Sequence, residues 1–317
     1  MENKLKFKIF IKKNILRHFR SISLKKTNFP PEIWLENTNH CNATCIMCPR
    51  EKQTRKKGIM SLDLYKRLIK EISEHNNFVE RLHMHNFGEP LLDKKLPERI
   101  KIAKDAGVKH VYFVSNASLL DESMSEKLID SGLDEFKISF YGTDKETYNS
   151  TMLDLDFETT LENVKTFFKV RKRKKAQKPK VVIQLIPQLI GEDKSNEWKD
   201  IFNQIIDKSL GDKLLSVILH NFSNGRDYNN INEIDIHNTC TYPWRTMVVL
   251  QDGRVSPCCN DYNGNIDMGN ILFSTIQEIW TSKKYQTMRK NFKALNYKDY
   301  STCSSCDIPR ALGKIEE

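Results

Sequence analysis

Cys41, Cys45 and Cys48 fall close together in the stretch NHCNATCIMCPREK, and Cys240, Cys258, Cys259, Cys303 and Cys306 gather in the last quarter of the chain. Clustered thiols in a reducing compartment favour metal ligation over disulfides. Three thiolates leave a tetrahedral site one ligand short. His40, beside Cys41, would complete a zinc knuckle of three cysteines and one histidine. The same three thiolates suit an iron–sulfur cluster, in which an unligated iron is a reactive position open to a small molecule. On spacing alone the tail cysteines fit either a four-cysteine zinc site or a closed iron–sulfur cluster.

The first cysteine cluster follows a short apolar run at 33–36, so it sits on a loop at the carboxyl end of a strand. Further strand candidates are 81–86, 110–115, 135–140, 181–187 and 214–220. Between them, helical patterns run over 61–74, 94–106, 121–131, 157–170 and 195–206. Ser61 opens the first, with Leu64, Leu68 and Ile72 on one face, and Gly107 and Gly132 close the second and third. Strand–helix repeats of this kind build a parallel sheet with right-handed crossovers. Six units are too few for a complete eight-stranded barrel. The expected fold is therefore α/β, a partial (β/α)6 TIM-like barrel with chemistry at the carboxyl ends of its strands. After residue 221 the pattern changes. Residues 221–238, rich in Asn and Asp, read as a linker. Residues 247–250 and 254–256 then spell a hairpin around Gln251-Asp252-Gly253, followed by a single helix over 275–290. This tail is too small for a strong core of its own, and a metal staple is the usual remedy.

Hydrophobic residues at 39% and charged ones at 29% describe a globular chain of 317 residues. No apolar run approaches the roughly 20 residues that span a bilayer. The N-terminus has no uninterrupted apolar stretch with a small-residue cleavage site, so a cytoplasmic location is expected. The net charge of +10 is uneven: residues 1–26 hold nine Lys/Arg against Glu2, and 171–180 read RKRKKAQKPK. Phe7, Ile11, Ile15 and Phe19 recur every fourth residue, as in a basic amphipathic helix; a solvated arm or a helix packed on its own domain is preferred over contact with a membrane surface or an acidic partner. No nucleic-acid module accompanies the charge, so nucleic acid is not an expected partner.

Cys41-Asn-Ala-Thr-Cys45-Ile-Met-Cys48 resembles the C-x3-C-x2-C signature of radical S-adenosylmethionine (SAM) enzymes. The resemblance continues in chain order at successive strand ends. Asn86-Phe87-Gly88-Glu89-Pro90 looks like the family's Gly-Glu-Pro motif, with Phe87 where a second glycine is frequent. Ser115-Asn116-Ala117 resembles its Thr-Asn-Gly, and Ser139 stands where a polar SAM contact is often kept. Four matches at four strand ends disfavour zinc. The resemblance implies that Cys41, Cys45 and Cys48 are the catalytic ligands of a [4Fe-4S] cluster whose fourth iron is chelated by SAM. It further implies that Glu89 accepts hydrogen bonds from the SAM ammonium, and that Met47, Gly88, Asn116 and Ser139 contribute to SAM binding.

The hairpin, Pro257-Cys258-Cys259, Gly269-Asn270, Ile279-Trp280 and the Cys303/Cys306 pair resemble the SPASM/twitch extension of the same enzymes. This implies a second, auxiliary [4Fe-4S] cluster. Its ligands would be Cys240, Cys258, Cys303 and Cys306, with Cys258 chosen because it directly follows the second hairpin strand and Cys259 left as a spare thiol. The implied organisation is a basic arm at 1–30, a radical SAM partial barrel at 31–222 and an auxiliary-cluster domain at 236–312. The implied chemistry begins with an electron from a reductant such as a flavodoxin or ferredoxin. SAM is then cleaved to a 5′-deoxyadenosyl radical, which takes hydrogen from a small polar, sugar- or cyclitol-like substrate. The auxiliary cluster would accept the remaining electron. With only about 30 residues before the barrel, too few for a leader-recognition fold, the small-molecule reading is preferred over a peptide-modifying one. A non-catalytic two-cluster electron carrier is the third reading, and it needs neither an open iron nor Glu89. His83 and His85 share one face of the second strand, as substrate contacts or as packed core.

Overall fold

The computed structural model describes residues 27–223, 225, 226 and 238–309. The amphipathic pattern at 7–19 and most of the linker at 221–238 lie outside them. Six strands, β1 (Glu32–Leu35), β2 (Arg81–His83), β3 (Val111–Ser115), β4 (Glu135–Ser139), β5 (Lys180–Leu185) and β6 (Lys213–Ser216), pair in parallel and in sequential order. The longer helices between them are α1 (Leu62–Glu74), α2 (Leu96–Asp105), α3 (Glu122–Asp130), α4 (Lys145–Thr151), α5 (Phe157–Arg173) and α6 (Glu192–Asn203). This is the partial barrel expected from the alternation.

Local chemistry sets these elements. The Ser61 hydroxyl accepts from the Leu64 amide and starts α1, whose Tyr65, Leu68, Ile69 and Ile72 are buried at helical spacing. Asp121 and Asp156 cap α3 and α5 in the same way. On the strands, Ile33, Leu35, Leu82, Phe113, Phe136, Ile138 and Ile183 join one apolar core with the helices. Strand alternation turns Trp34, His83, Tyr112 and Lys137 to the opposite face. There Trp34 stacks on His83 with ring centroids 3.4 Å apart, and Tyr112 meets His83 edge-on at 4.9 Å.

Three features depart from the sequence reading. First, α4 has no apolar period. It forms because Asp144 and Thr147 make a reciprocal capping box. Second, the expected helix at 275–290 is two, α7 (Ile276–Thr281) and α8 (Lys283–Lys293). Ser282 adopts an extended conformation and its hydroxyl caps α8 at the Tyr285 amide. The break lets Trp280 donate to the Thr27 carbonyl at 2.9 Å, while Arg289 lies 4.3 Å from the Trp280 ring centroid.

Third, the hairpin of β7 (Thr246–Val249) and β8 (Arg254–Ser256) is not a separate layer. β7 pairs in parallel with β1, Trp34 opposite Val248, so that the hairpin and β9 (Gly269–Asn270) extend the sheet to nine strands. Met247, Val249 and Val255 consequently belong to the same apolar core as Ile33 and Leu35. The tail gains its core from the barrel edge.

No described helix is long and apolar enough to cross a membrane.

Candidate active site and auxiliary cavity

The loop after β1 is tied down on every side. The Cys48 amide donates to the Cys45 carbonyl at 3.0 Å, and the Thr44 and Ile46 amides each donate at 3.1 Å to the carbonyls of Leu153 and Thr151. Arg50 donates to the Ala43 carbonyl at 2.6 Å, and Arg226 reaches the Cys48 carbonyl at 2.8 Å. The turn after β2 is locked onto the same loop. Glu89 donates its amide to the His40 carbonyl at 2.7 Å. A Cβ on Gly88 would stand 2.1 Å from the Thr38 carbonyl oxygen and 2.8 Å from that of His40. This contact also explains why β2 stops at His83, short of the expected strand to 86: the chain must leave the ladder to reach Thr38. Gly88→Ala is therefore expected to destabilise the protein by roughly 1–3 kcal/mol, the range for overpacking. Thermal melting together with iron uptake on anaerobic reconstitution checks this.

The four strand ends converge. Cys41, Cys45, Met47, Cys48, Gly88, Glu89, Asn116 and Ser139, all eight residues that the sequence assigns to the SAM site, line one open cavity of about 280 Å³. Burial, followed by the charge of Glu89, pushes the Cys41 thiol up to about 11. Burial and the mutual repulsion of the thiolates push Cys45 up as well. A set of this kind keeps its protons until a cation displaces them. His40, the fourth ligand of the zinc alternative, is exposed. Among the described residues, no three Cys, His, Asp or Glu side chains converge to single-ion distance.

Glu89 is 2% exposed and lies between elements. Its Oε1 accepts from the Leu91 amide at 3.0 Å and the Ser115 hydroxyl at 2.7 Å, and its Oε2 accepts from the Asn116 amide at 2.8 Å. Burial nonetheless raises its pKa to about 7. The Asn116 side chain is occupied: it donates to Asn42 at 3.0 Å and accepts from the Ser118 hydroxyl at 2.8 Å, stapling the strand-3 end to the cysteine loop. Ser139 accepts from Gln184 at 3.0 Å. Met47 is buried at the cavity wall.

Several cavity residues were not singled out from sequence. Tyr141 and Met152 line it, as does Phe222, which packs edge-on against Phe87 with centroids 5.9 Å apart. Phe87 also meets Tyr262 at 6.1 Å. The phenylalanine that replaces the frequent glycine thus closes the cavity against the segment after β6 and against the tail. Partners 135 and 175 residues away leave no local signal.

Cys240, Cys258, Cys303 and Cys306 line a second cavity, walled by Tyr242, Met288, Phe292 and Tyr297. Burial and the neighbouring Cys306 push the Cys240 thiol up to about 12, and burial, then Cys240 and Cys306, raise Cys303. The Asn260 amide donates to Cys258 Sγ at 3.2 Å, and the Tyr297 hydroxyl accepts from the Cys240 amide at 2.8 Å. Cys259 packs instead against Trp34, Val248 and Leu250. Four thiols in an apolar enclosure are a donor set that suits iron–sulfur ligation.

A six-stranded parallel partial barrel, with a cysteine triad after its first strand and four thiols enclosed beside it, defines a class of two-site iron–sulfur enzymes. Comparison with known proteins specifies the family. Residues 35–201 match the Radical SAM superfamily, and residues 240–307 match SPASM, an iron–sulfur cluster-binding domain. The chain belongs to the radical SAM superfamily and carries a C-terminal SPASM domain. It is a radical SAM enzyme whose cofactors are SAM and a SAM-binding [4Fe-4S] cluster, with further iron–sulfur ligation in the SPASM domain.

Among its relatives is the S-adenosyl-L-methionine-dependent 2-deoxy-scyllo-inosamine dehydrogenase of Niallia circulans, 25% identical over 87% of this chain and 92% of that protein. Another is the tungsten-containing aldehyde ferredoxin oxidoreductase cofactor-modifying protein of Pyrococcus furiosus, 21% identical over 90% of this chain and 89% of that one. In fold the chain is similar to BtrN in complex with AdoMet and 2-DOIA, with a TM-score of 0.62, 21% identity and coverage of 89% and 94%. It is also similar to Streptococcus suis SuiB, with a TM-score of 0.63, 16% identity and coverage of 88% and 72%.

Proposed function

We propose that the protein dehydrogenates a small polar substrate bearing a carbinol or amine carbon, sugar- or cyclitol-like, and that the thiols around the second cavity serve the electron-accepting step. The observation that carries this reading is the pairing of two cavities of different character. One is open and holds three thiols beside Glu89; the other is walled by apolar side chains and holds four. The similarity over nearly the whole length to a SAM-dependent inosamine dehydrogenase supports the substrate class.

In this reading Cys41, Cys45 and Cys48 would hold the SAM-binding cluster at the open cavity. When bound and reduced, that cluster supplies the electron that cleaves SAM to methionine and a 5′-deoxyadenosyl radical. Glu89 faces the SAM ammonium, a charge-assisted pairing, and Met47, Gly88, Asn116 and Ser139 shape the rest of the SAM site. Phe87 and Phe222 exclude water from the radical. The reductant is a small electron carrier of the flavodoxin or ferredoxin kind, and the functional units are 31–222 and 236–312.

Cys240, Cys258, Cys303 and Cys306 hold the auxiliary cluster. Cys258→Ser is accordingly expected to lose about half of the reconstituted iron, one of two four-iron clusters, and Cys259→Ser to keep it. Iron and sulfide assays on the two variants check the assignment, and the reverse pattern would move the ligand to Cys259. The substrate reading is tested by anaerobic turnover with 2-deoxy-scyllo-inosamine and a panel of related hydroxycyclitols and hexoses. Ketone formation with one 5′-deoxyadenosine per product is expected, and a cyclised or crosslinked product would contradict it.

A further inference from the structure

His85, two residues beyond the end of β2, lines the same cavity as Cys41, Glu89 and Ser139. The other acid–base groups of that wall are already engaged. Arg50 donates to the Ala43 carbonyl, and Glu51 pairs with Arg226 at 2.6 Å. Glu89 accepts three hydrogen bonds from protein groups. The Tyr141 hydroxyl accepts from Gln184 at 2.7 Å, and burial lifts it to about 12. The three cysteines are the thiol set of the site. His85 differs from all of these. Its Nδ1 is buried with no hydrogen-bond partner among the described residues, and its ring is held by the edge-on contact with Tyr112 at 5.2 Å. No described protein group therefore fixes its tautomer through Nδ1, which leaves the ring free to present a lone pair at its other nitrogen.

We propose that His85 is the catalytic base of the dehydrogenation, accepting the hydroxyl or ammonium proton of the substrate on a ring nitrogen. This inference rests on the dehydrogenase reading above. Burial, then His83 and Lys137, hold the His85 pKa well below 6.5, so the ring is neutral at pH 7 and has a lone pair to offer. The balance for a carbinol is complete. The C–H hydrogen atom goes to the 5′-deoxyadenosyl radical, the O–H proton goes to His85, and the one remaining electron goes to the oxidised auxiliary cluster as C–O becomes C=O. Without the base, hydrogen-atom removal still occurs, but the protonated carbon radical is a poor electron donor.

The test uses His85→Gln and His85→Asn in the full-length reconstituted protein, the second variant guarding against a folding defect in the first. Binding of 2-deoxy-scyllo-inosamine to the SAM-loaded, unreduced protein is measured by calorimetry. Ketone yield is then measured over the panel of cyclitols and hexoses, and freeze-quenched samples are examined by electron paramagnetic resonance. Wild type is expected to form ketone from at least one compound. In the variants ketone formation is expected to fall by about 100-fold or more, binding to change by less than about 10-fold, and a carbon-centred radical to accumulate. Ketone formation by the variants within about threefold of wild type would overturn the base role alone. So would a variant whose binding falls in proportion to its rate, which makes His85 a binding contact. A wild type that forms no ketone from the whole panel would overturn the dehydrogenase reading and the base with it.

Discussion

The variant Cys41→Ala/Cys45→Ala/Cys48→Ala, reconstituted anaerobically, is expected to retain about four of about eight irons per chain while forming no 5′-deoxyadenosine from SAM. The expectation follows from the separation of the two thiol sets. Cys41, Cys45 and Cys48 share a cavity with Glu89, whereas Cys240, Cys258, Cys303 and Cys306 share another whose wall comes from the tail and α8. Alanine at three loop positions leaves the backbone ties of the loop in place, because the bonds from Thr44, Ile46, Arg50 and Arg226 run through main-chain atoms or through side chains that are retained. Iron content and the visible spectrum of the variant are the measurements. Loss of all iron would contradict an independent second cluster, and retention of SAM cleavage would remove the triad from the chemistry.

Arg55→Leu is expected to lower stability by about 3–5 kcal/mol, the range for breaking a buried ion pair from one side. Arg55 and Glu36 form two hydrogen bonds of 2.7 Å each, and their side chains are 2% and 0% exposed. The same carboxylate accepts from Asn86 at 3.1 Å and from the Gln251 amide at 3.1 Å, and Arg55 also donates to the Tyr262 carbonyl at 3.2 Å. One pair thus joins the end of β1, the segment leaving the cysteine loop, the turn toward Gly88 and the tail hairpin. Without the guanidinium, Glu36 is left as an uncompensated buried charge. Differential scanning calorimetry should show the melting temperature falling by roughly 6–20 °C, and Glu36→Gln in the same background should recover part of it. An unchanged melt would mean that water or a rearranged side chain replaces Arg55.

Much of this molecule is written in short-range signals. The cysteine spacing, the glycine before Glu89, and the polar residues ending β3 and β4 are each legible within a few positions. The sequential order of the parallel strands then brings them to one rim. The caps at Ser61, Asp121 and Asp156 are equally local. What escaped the sequence is long-range or compensatory. Nothing near Trp34 announces that β1 will pair with Val248 on the far side of the chain, so the tail reads as a separate unit until the register is seen. The Glu36–Arg55 pair looks like two surface charges on either side of a loop. Phe87 looks like a lapse in a glycine motif until Phe222 and Tyr262 arrive against it. Helix α4 forms on the reciprocal Asp144–Thr147 cap without an apolar period, and at Ser282 a single capping side chain breaks the apolar period.

Whether a cluster held by Cys41, Cys45 and Cys48 would supply the electron that cleaves SAM is addressed directly by one measurement. The reconstituted wild-type protein is reduced under strictly anaerobic conditions and incubated with SAM, and the products are separated by liquid chromatography with mass detection. Equal amounts of methionine and 5′-deoxyadenosine are predicted, dependent on the reductant and absent without iron. Protein that carries its full complement of iron and binds SAM, yet yields no 5′-deoxyadenosine, would contradict the account.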